Sequence, residues 1–336
     1  MATHDAAIFV ASFRGLQGVT DLHHKLSGKN VKIVGAICRA GAAMSTGSRQ
    51  FRCHERVIRL RIDSLVESQI GGEGRRFATE QRNIMKISFV VPAYNEQALL
   101  SRSLTAIRDE IERAGQVLGQ DAEIIVVNNA STDRTREVAE AVEGVKVVDE
   151  PRKGLVQARW TGFAASTGEL IANIDADTVI PPGWLTEVLR QFERGPKLVG
   201  LSGPYVYYGV PNRVNWVVGA YYRMAFTVYL FNRFVLNVGS MLQGGNFVVK
   251  RAAMLKLGNP DLRFSFYGED TDMARRLSKV GGVKFTFRLP AQSSGRRLVG
   301  EGVFTIGIRY SMNFFWATFR KKPFTEEWRD IHEEMS

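Results

Sequence analysis

Apolar residues along this chain repeat with two periods. Apolar-rich runs of strand length lie near 87–92, 123–128, 145–149 and 169–174. After the first of them, Leu100, Leu104, Ile107 and Ile111 recur at the spacing that places them on one face of a helix. Strands alternating with helical segments predict a parallel sheet joined by right-handed crossovers. Ser131-Thr132-Asp133 offers N-cap side chains for the helix after the second strand, and Pro181-Pro182 starts another helix.

The second half is less regular. A long aromatic segment leads to Gln243-Gly244-Gly245-Asn246 and a strand from Phe247 to Lys250. A loop then reaches Gly268-Glu269-Asp270, followed by a predicted helix from Thr271 to Lys279 and a strand from Val283 to Phe287. The pattern reads as the second half of one compact domain, not as an independent unit. Aromatics between 205 and 234 fit a core or a carbohydrate or lipid platform.

Residues 1–84 show no sustained periodicity, are rich in Arg, Gly and Ser, and end in Gly71-Gly72-Glu73-Gly74-Arg75-Arg76. They are expected to be a disordered or non-native extension, with the native start at Met85, immediately before the first strand. The domain is expected over 85–300, and an amphipathic helix and tail over 301–336.

Composition narrows the function classes. The 336 residues are 45% hydrophobic and 24% charged, an ordinary globular balance. Net charge is +11, and residues 1–84 hold 13 basic against 7 acidic side chains, so the remainder is only mildly basic. Spread through an α/β pattern without a nucleic-acid-binding module, that charge points to anionic lipid or phosphorylated substrate, not nucleic acid. Cys38 and Cys53 are the only cysteines, which suits a reducing, cytoplasmic location. His23, His24, Cys38, Cys53 and His54 lack zinc-site spacing. Val214–Val238 and Gly302–Thr318 are apolar around Arg223, Arg233 and Arg309. Neither reaches the roughly 18 charge-free residues of a membrane span, so peripheral contact with the inner face of a membrane stays open.

In open parallel sheets ligands bind beyond the carboxyl ends of the strands, where Pro92–Glu96, Asn128–Asp133 and Asp175–Asp177 fall. No G-x-G-x-x-G follows the first strand and no P-loop motif occurs, which argues against a dinucleotide oxidoreductase or a P-loop ATPase. Phosphates would then be neutralised by metal and basic side chains. At an extended strand end, Asp175 and Asp177 point to one face about 6.6 Å apart and can share a hard divalent cation, Mg²⁺ or Mn²⁺. The small Ala176 keeps that approach open. Turn or cap roles for these aspartates, and an acidic helix start at Glu269-Asp270, are the structural alternatives.

Val91-Pro92-Ala93-Tyr94-Asn95-Glu96, Val127 to Asp133, Lys153-Gly154, Ala158-Arg159, Asp175-Ala176-Asp177 and Gly268-Glu269-Asp270 together resemble the family 2 glycosyltransferases. The resemblance runs from about Lys86 to Phe287. It implies a GT-A fold: a Rossmann-like, mostly parallel central sheet flanked by helices, with a smaller mixed sheet on the acceptor side. The donor half would be 85–180 and the acceptor half 181–300. It further implies metal-dependent, inverting transfer of a hexose-type sugar from a nucleotide-sugar donor, UDP-sugar favoured, to a glycan or lipid-linked acceptor of the cell envelope.

By the same resemblance the loop from Pro92 holds the nucleoside, with Tyr94 against the base and Glu96 on a ribose hydroxyl. Asn128 stands where many relatives carry Asp to contact the base, with Asn129 beside it. Lys153 and Arg159 form the pyrophosphate-side basic pair, Asp175 faces the donor and Asp177 ligates the metal. Asp270 is the general base and Glu269 orients the acceptor. Gly244 and Gly245 fit either a turn or a close approach of sugar to backbone. Near Ala291–Arg297 some relatives carry a metal-binding His or a Gln-x-x-Arg-Trp signature; here there is no His, and Leu298 follows Arg297. His332 is remote from this stretch. Competing readings are a nucleotidyltransferase and a non-catalytic sugar- or lipid-binding module.

Overall fold

The computed structural model describes residues 85–236, 241–264 and 266–325. The expectations for 1–84 and for His332 lie outside the described residues. In chain order the strands are β1 (Ile87–Ala93), β2 (Ala122–Asn128), β3 (Val145–Asp149), β4 (Leu170–Ile174), β5 (Thr178–Val179), β6 (Leu198–Ser202), β7 (Tyr205–Tyr208), β8 (Asn246–Lys250), β9 (Gly282–Phe285) and β10 (Ala291–Ser294). The helices are α1 (Leu100–Arg113), α2 (Thr135–Glu140), α3 (Leu155–Ala165), α4 (Trp184–Arg194), α5 (Asn212–Phe234), α6 (Arg251–Leu257), α7 (Glu269–Leu277), α8 (Arg296–Glu301) and α9 (Val303–Phe315).

Seven strands form one sheet in the order β3-β2-β1-β4-β8-β6-β9. The four predicted apolar runs are its first four strands, and β1 is buried along its whole length because helices cover both faces. Leu100, Leu104, Ile107 and Ile111 of α1 are buried against one face, where each side chain contributes about 1.5–3 kcal/mol. Ala158 and Phe163 of α3 and Ala274 and Leu277 of α7 cover the other.

The sheet is mostly parallel, as expected, and the exception is β8, which runs antiparallel to both β4 and β6. Its register sets Ile174 opposite Asn246, so the Gly244-Gly245 turn arrives beside Asp175. Buried Asn246 fixes that turn, accepting from Trp184 Nε1 at 3.0 Å and donating to the Leu289 carbonyl at 2.9 Å. A three-stranded mixed sheet, β5-β10-β7, pairs Ser293 with Thr178 and Ala291 with Tyr205. This carries the residues after β10 over the Asp177 turn.

Other boundaries also move. The helix after Pro181-Pro182 begins at Trp184, behind Gly183 at φ 87°. Its first N–H groups are met by the buried Glu110 carboxylate, which accepts from Gly183 N at 3.0 Å and Leu185 N at 3.1 Å. The helix predicted from Thr271 starts two residues earlier, so Glu269 and Asp270 lie in its first turn. β9 ends at Phe285, short of Phe287. The aromatic segment is the 23-residue helix α5, most of whose side chains do not enter the core.

Candidate active site

The loops after β1 and β2 clasp each other. β1 and β2 run in register to Ala93 opposite Asn128, so the two loops leave the sheet level with one another. Asn95 adopts φ 51°, a left-handed conformation that Asn tolerates better than most residues. Its Oδ1 accepts from Thr132 N at 2.8 Å, while the backbone N–H of Glu96 donates to Thr135 Oγ1 at 2.7 Å. Asp133 accepts from Gln97 N and from Thr135 N, so this expected N-cap residue also ties the loops together. The result aims Glu96 into a cleft of about 230 Å³.

Asp175-Ala176-Asp177 is a turn and not an extended strand end: Thr178 N donates to the Asp175 carbonyl at 2.9 Å. Ala176 is buried, and it lines the cleft between the two aspartates. Asp175 accepts from Arg159 Nη2 at 3.0 Å and from the Tyr205 hydroxyl at 3.2 Å. Arg159 is itself buried and pairs on its other side with Glu269. The expected phosphate-side arginine and acceptor-orienting glutamate are therefore held to one another, with Asp175 on the same guanidinium.

Asp177 accepts a weak bond from Ser293 Oγ at 3.4 Å and lies 3.3 Å from Arg296 Nη2. Arg296 also clasps Glu96 bidentately, Nη1 to Oε2 at 2.9 Å and Nη2 to Oε1. Glu96, expected on a ribose hydroxyl, is thus paired with a residue that the sequence reading did not single out. Burial pushes the Asp177 carboxyl up to about 7, with Arg296 opposing and Glu96 and Asp175 adding to the rise. Burial likewise raises Glu96, again against the pull of Arg296.

Lys153 stacks its ammonium over the Tyr94 ring at 4.0 Å from the centroid. Asn129 lines the cleft but spends its side chain on the backbone, donating to the carbonyls of Glu150 and Arg152 and accepting from Gly154 N at 2.8 Å. It positions the loop that carries Lys153. Asn128 does not join the cleft lining: its Nδ2 donates to Asp149 at 2.9 Å and its buried Oδ1 has no hydrogen-bond partner. Pro92 lines the cleft floor.

Asp270 faces the same cleft as Asp175 and Asp177. Gly268 at φ 79° opens α7, Thr271 N donates to Asp270 Oδ1 at 2.7 Å, and burial raises the Asp270 carboxyl. A Cβ built on Gly244 would come within 3.3 Å of Arg159 and 3.7 Å of the Asp270 carboxylate. One on Gly245 would collide with the Asp175 carboxylate and the Tyr205 hydroxyl. Gly245 is there so that backbone can pass against Asp175.

Asp175 and Asp177 line the cleft with hard oxygens of the kind Mg²⁺ or Mn²⁺ takes, with Glu96 also in the lining. Among the described residues no cluster of three acidic, His or Cys side chains could hold an ion alone. The donor set fits a cation whose remaining ligands come from a bound diphosphate.

An α/β sheet with acidic turns and basic loops gathered at its carboxyl edge places the candidate ligand site where open α/β sheets bind their ligands. The family model for glycosyl transferase family 2 matches residues 88–258, and the chain belongs to that family. An uncharacterised glycosyltransferase of Nostoc is 32% identical over 114 residues, 32% of this chain and 33% of that protein. The undecaprenyl-phosphate 4-deoxy-4-formamido-L-arabinose transferase of Yersinia pestis is 32% identical over 123 residues, 35% and 36% of the two chains. The chain spans about a third of the length of the curated relatives it matches. Among solved structures, glucosyl-3-phosphoglycerate synthase of Mycobacterium tuberculosis, with Mn²⁺, UDP and phosphoglyceric acid, is 22% identical, covers 70% of this chain and 78% of that one, and has a TM-score of 0.48. A Pyrobaculum calidifontis mannosyltransferase with GDP-Man and Mn²⁺ is 21% identical, covers 62% and 57%, and has a TM-score of 0.46.

Proposed function

We propose that this protein is an inverting glycosyltransferase that moves a hexose-type sugar from a nucleoside-diphosphate donor, UDP-sugar favoured, to a hydroxyl of a cell-envelope glycan or lipid-linked acceptor. The observation that carries this reading is the shared cleft, where Asp270 and the Asp175–Asp177 turn line one cavity with Gly244-Gly245 beside them. Family membership supports the reaction class.

The nucleoside sits by Tyr94, and Lys153 and Arg159 lie where they balance diphosphate charge. A divalent cation held through Asp177, with Asp175 and Glu96 near it, supplies charge stabilisation for the departing diphosphate when bound. Asp270 accepts the proton of the acceptor hydroxyl as its oxygen bonds to the anomeric carbon. The bond from that carbon to the diphosphate oxygen breaks, and its electron pair leaves on the diphosphate. Attack opposite the leaving group inverts the anomeric centre. Glu269, tied to Arg159, keeps the acceptor side and the donor side in register.

Product analysis tests the reading. Incubation with a panel of nucleotide sugars, a divalent cation and envelope extract is expected to release nucleoside diphosphate. Release of pyrophosphate would instead identify a nucleotidyltransferase, and donor binding without turnover a non-catalytic module.

A further inference from the structure

Helix α5 turns its apolar residues outward. It buries Tyr222, Tyr229 and Asn232, while Trp216, Val217, Met224, Phe231 and Phe234 face solvent, Trp216 at 77% exposure. Positions 217, 224, 231 and 234 follow the three-to-four-residue step of one helical stripe. Helix α9 repeats the arrangement: Ile306 and Asn313 point inward, and Phe304 (80% exposed), Ile308 and Phe315 outward, with Phe319 following. The Tyr221 hydroxyl and Ser311 Oγ, 3.3 Å apart, bring the two helices into contact at one point. Exposed aromatic and branched side chains in two neighbouring stripes mark an interaction site.

The charge around it selects the occupant. Neither helix contains Asp or Glu, and Arg213, Arg223, Arg320, Lys321 and Lys322 flank the aromatic stripes. A two-fold contact with a second copy would set these like charges against one another. An anionic lipid surface takes the basic residues at its headgroups and the aromatic rings at the acyl boundary. Among the described residues no helix is long and apolar enough to cross a membrane, so the seat is on the surface. The inward side of α9 continues into the catalytic cleft, where Ile306 and Tyr310 are part of the lining.

We propose that α5, α9 and the segment Phe319–Lys322 form a docking surface for an anionic phospholipid bilayer. The cleft then opens where an acceptor carried on a membrane lipid arrives; that second clause rests on the glycosyl-transfer reading, and the docking does not.

Flotation of the full chain with vesicles of phosphatidylcholine, with and without phosphatidylglycerol, tests this. Strong binding is expected only with phosphatidylglycerol and is expected to weaken in high salt. Replacing Trp216, Phe231, Phe304 and Ile308 together by Ser should lower the affinity at least about tenfold, given the apolar area each ring or branched chain withdraws from water. The charge reversal R320E/K321E/K322E should remove the preference for the anionic lipid while the protein stays folded by circular dichroism. Failure of the wild type to float with either vesicle overturns the proposal, as does a serine variant that floats equally well. So does a wild-type dimer in light scattering that the serine variant renders monomeric without any vesicle binding. Nucleoside-diphosphate binding by the same proteins, expected unchanged, separates loss of docking from loss of the donor site.

Discussion

Arg296 lies 3.3 Å from Asp177 while its guanidinium clasps Glu96, so one cation spans two loops of the donor side. It lines the same cleft as Asp177 and compensates two partly buried carboxylates at once.

Arg296→Ala should therefore act on stability and on metal binding in opposite directions. Leaving two partly buried carboxylates without their partner costs about 1–3 kcal/mol. Thermal unfolding is expected at a lower Tm for the variant, and Mn²⁺ alone should recover more of it than it adds to the wild type. Equal Mn²⁺ stabilisation of both proteins would mean that Arg296 does not compete for that space.

Asp270→Asn should reduce kcat by about 10²–10⁴ and leave UDP affinity within about twofold, measured by turnover and calorimetry. Burial raises the Asp270 carboxyl, so its base form is present above the shifted value and disappears as pH falls through it. The acid limb of the wild-type rate profile is expected at higher pH than an exposed aspartate would give. Equal loss of turnover and UDP binding in the variant would remove Asp270 from the acceptor side.

Gly245→Ala should disrupt the donor wall. The added Cβ overlaps the Asp175 carboxylate, which Arg159 holds, and the Tyr205 hydroxyl, which donates to that carboxylate. Overpacking of this kind costs about 1–3 kcal/mol. Denaturant unfolding should report that loss, together with weakened donor binding. Gly244→Ala, with its nearest contact at 3.3 Å, should be milder.

Buried Glu150 holds the Lys153 loop, accepting from Arg152 and from Thr161 Oγ1 at 2.6 Å. Those hydrogen bonds, with Arg152 first, depress its carboxyl from 4.5 to about 2. The stability it supplies is complete above pH 4.5 and drains away as pH falls towards 2. Glu150→Gln should lose about 1–3 kcal/mol at neutral pH and flatten the stability profile across that window, read by urea unfolding at a series of pH values. A parallel profile would show that the loop is held by other contacts.

Much of the donor half was legible along the chain. The four apolar-rich runs became four adjacent strands; β1, β2 and β4 are largely buried, while β3 at the sheet edge is half-exposed. The polar breaks at Asp175–Asp177 and Gly268–Asp270 were also visible, but not that the first is a turn or that the helix begins at Glu269. Arg296 was not. It sits in the stretch where some relatives carry a histidine, and nothing in Ser294-Gly295-Arg296-Arg297 reveals that β10 pairs with β5 and so brings that arginine to Asp177. The outward stripe of α5 escaped for a related reason: a helix with Tyr, Phe and Trp on several sides has no preferred face until its neighbours choose one.

The sequence alone determined the alternation of strands and helices, the polar breaks and the family, because periodicity and short motifs are encoded within a few residues. Only the tertiary structure decided who partners whom: Arg296 with Glu96 across 200 residues, Arg159 between Asp175 and Glu269, and which side of α5 meets water. Those outcomes depend on strand order and register, which arise from the packing of the whole sheet and leave no mark on the local chain.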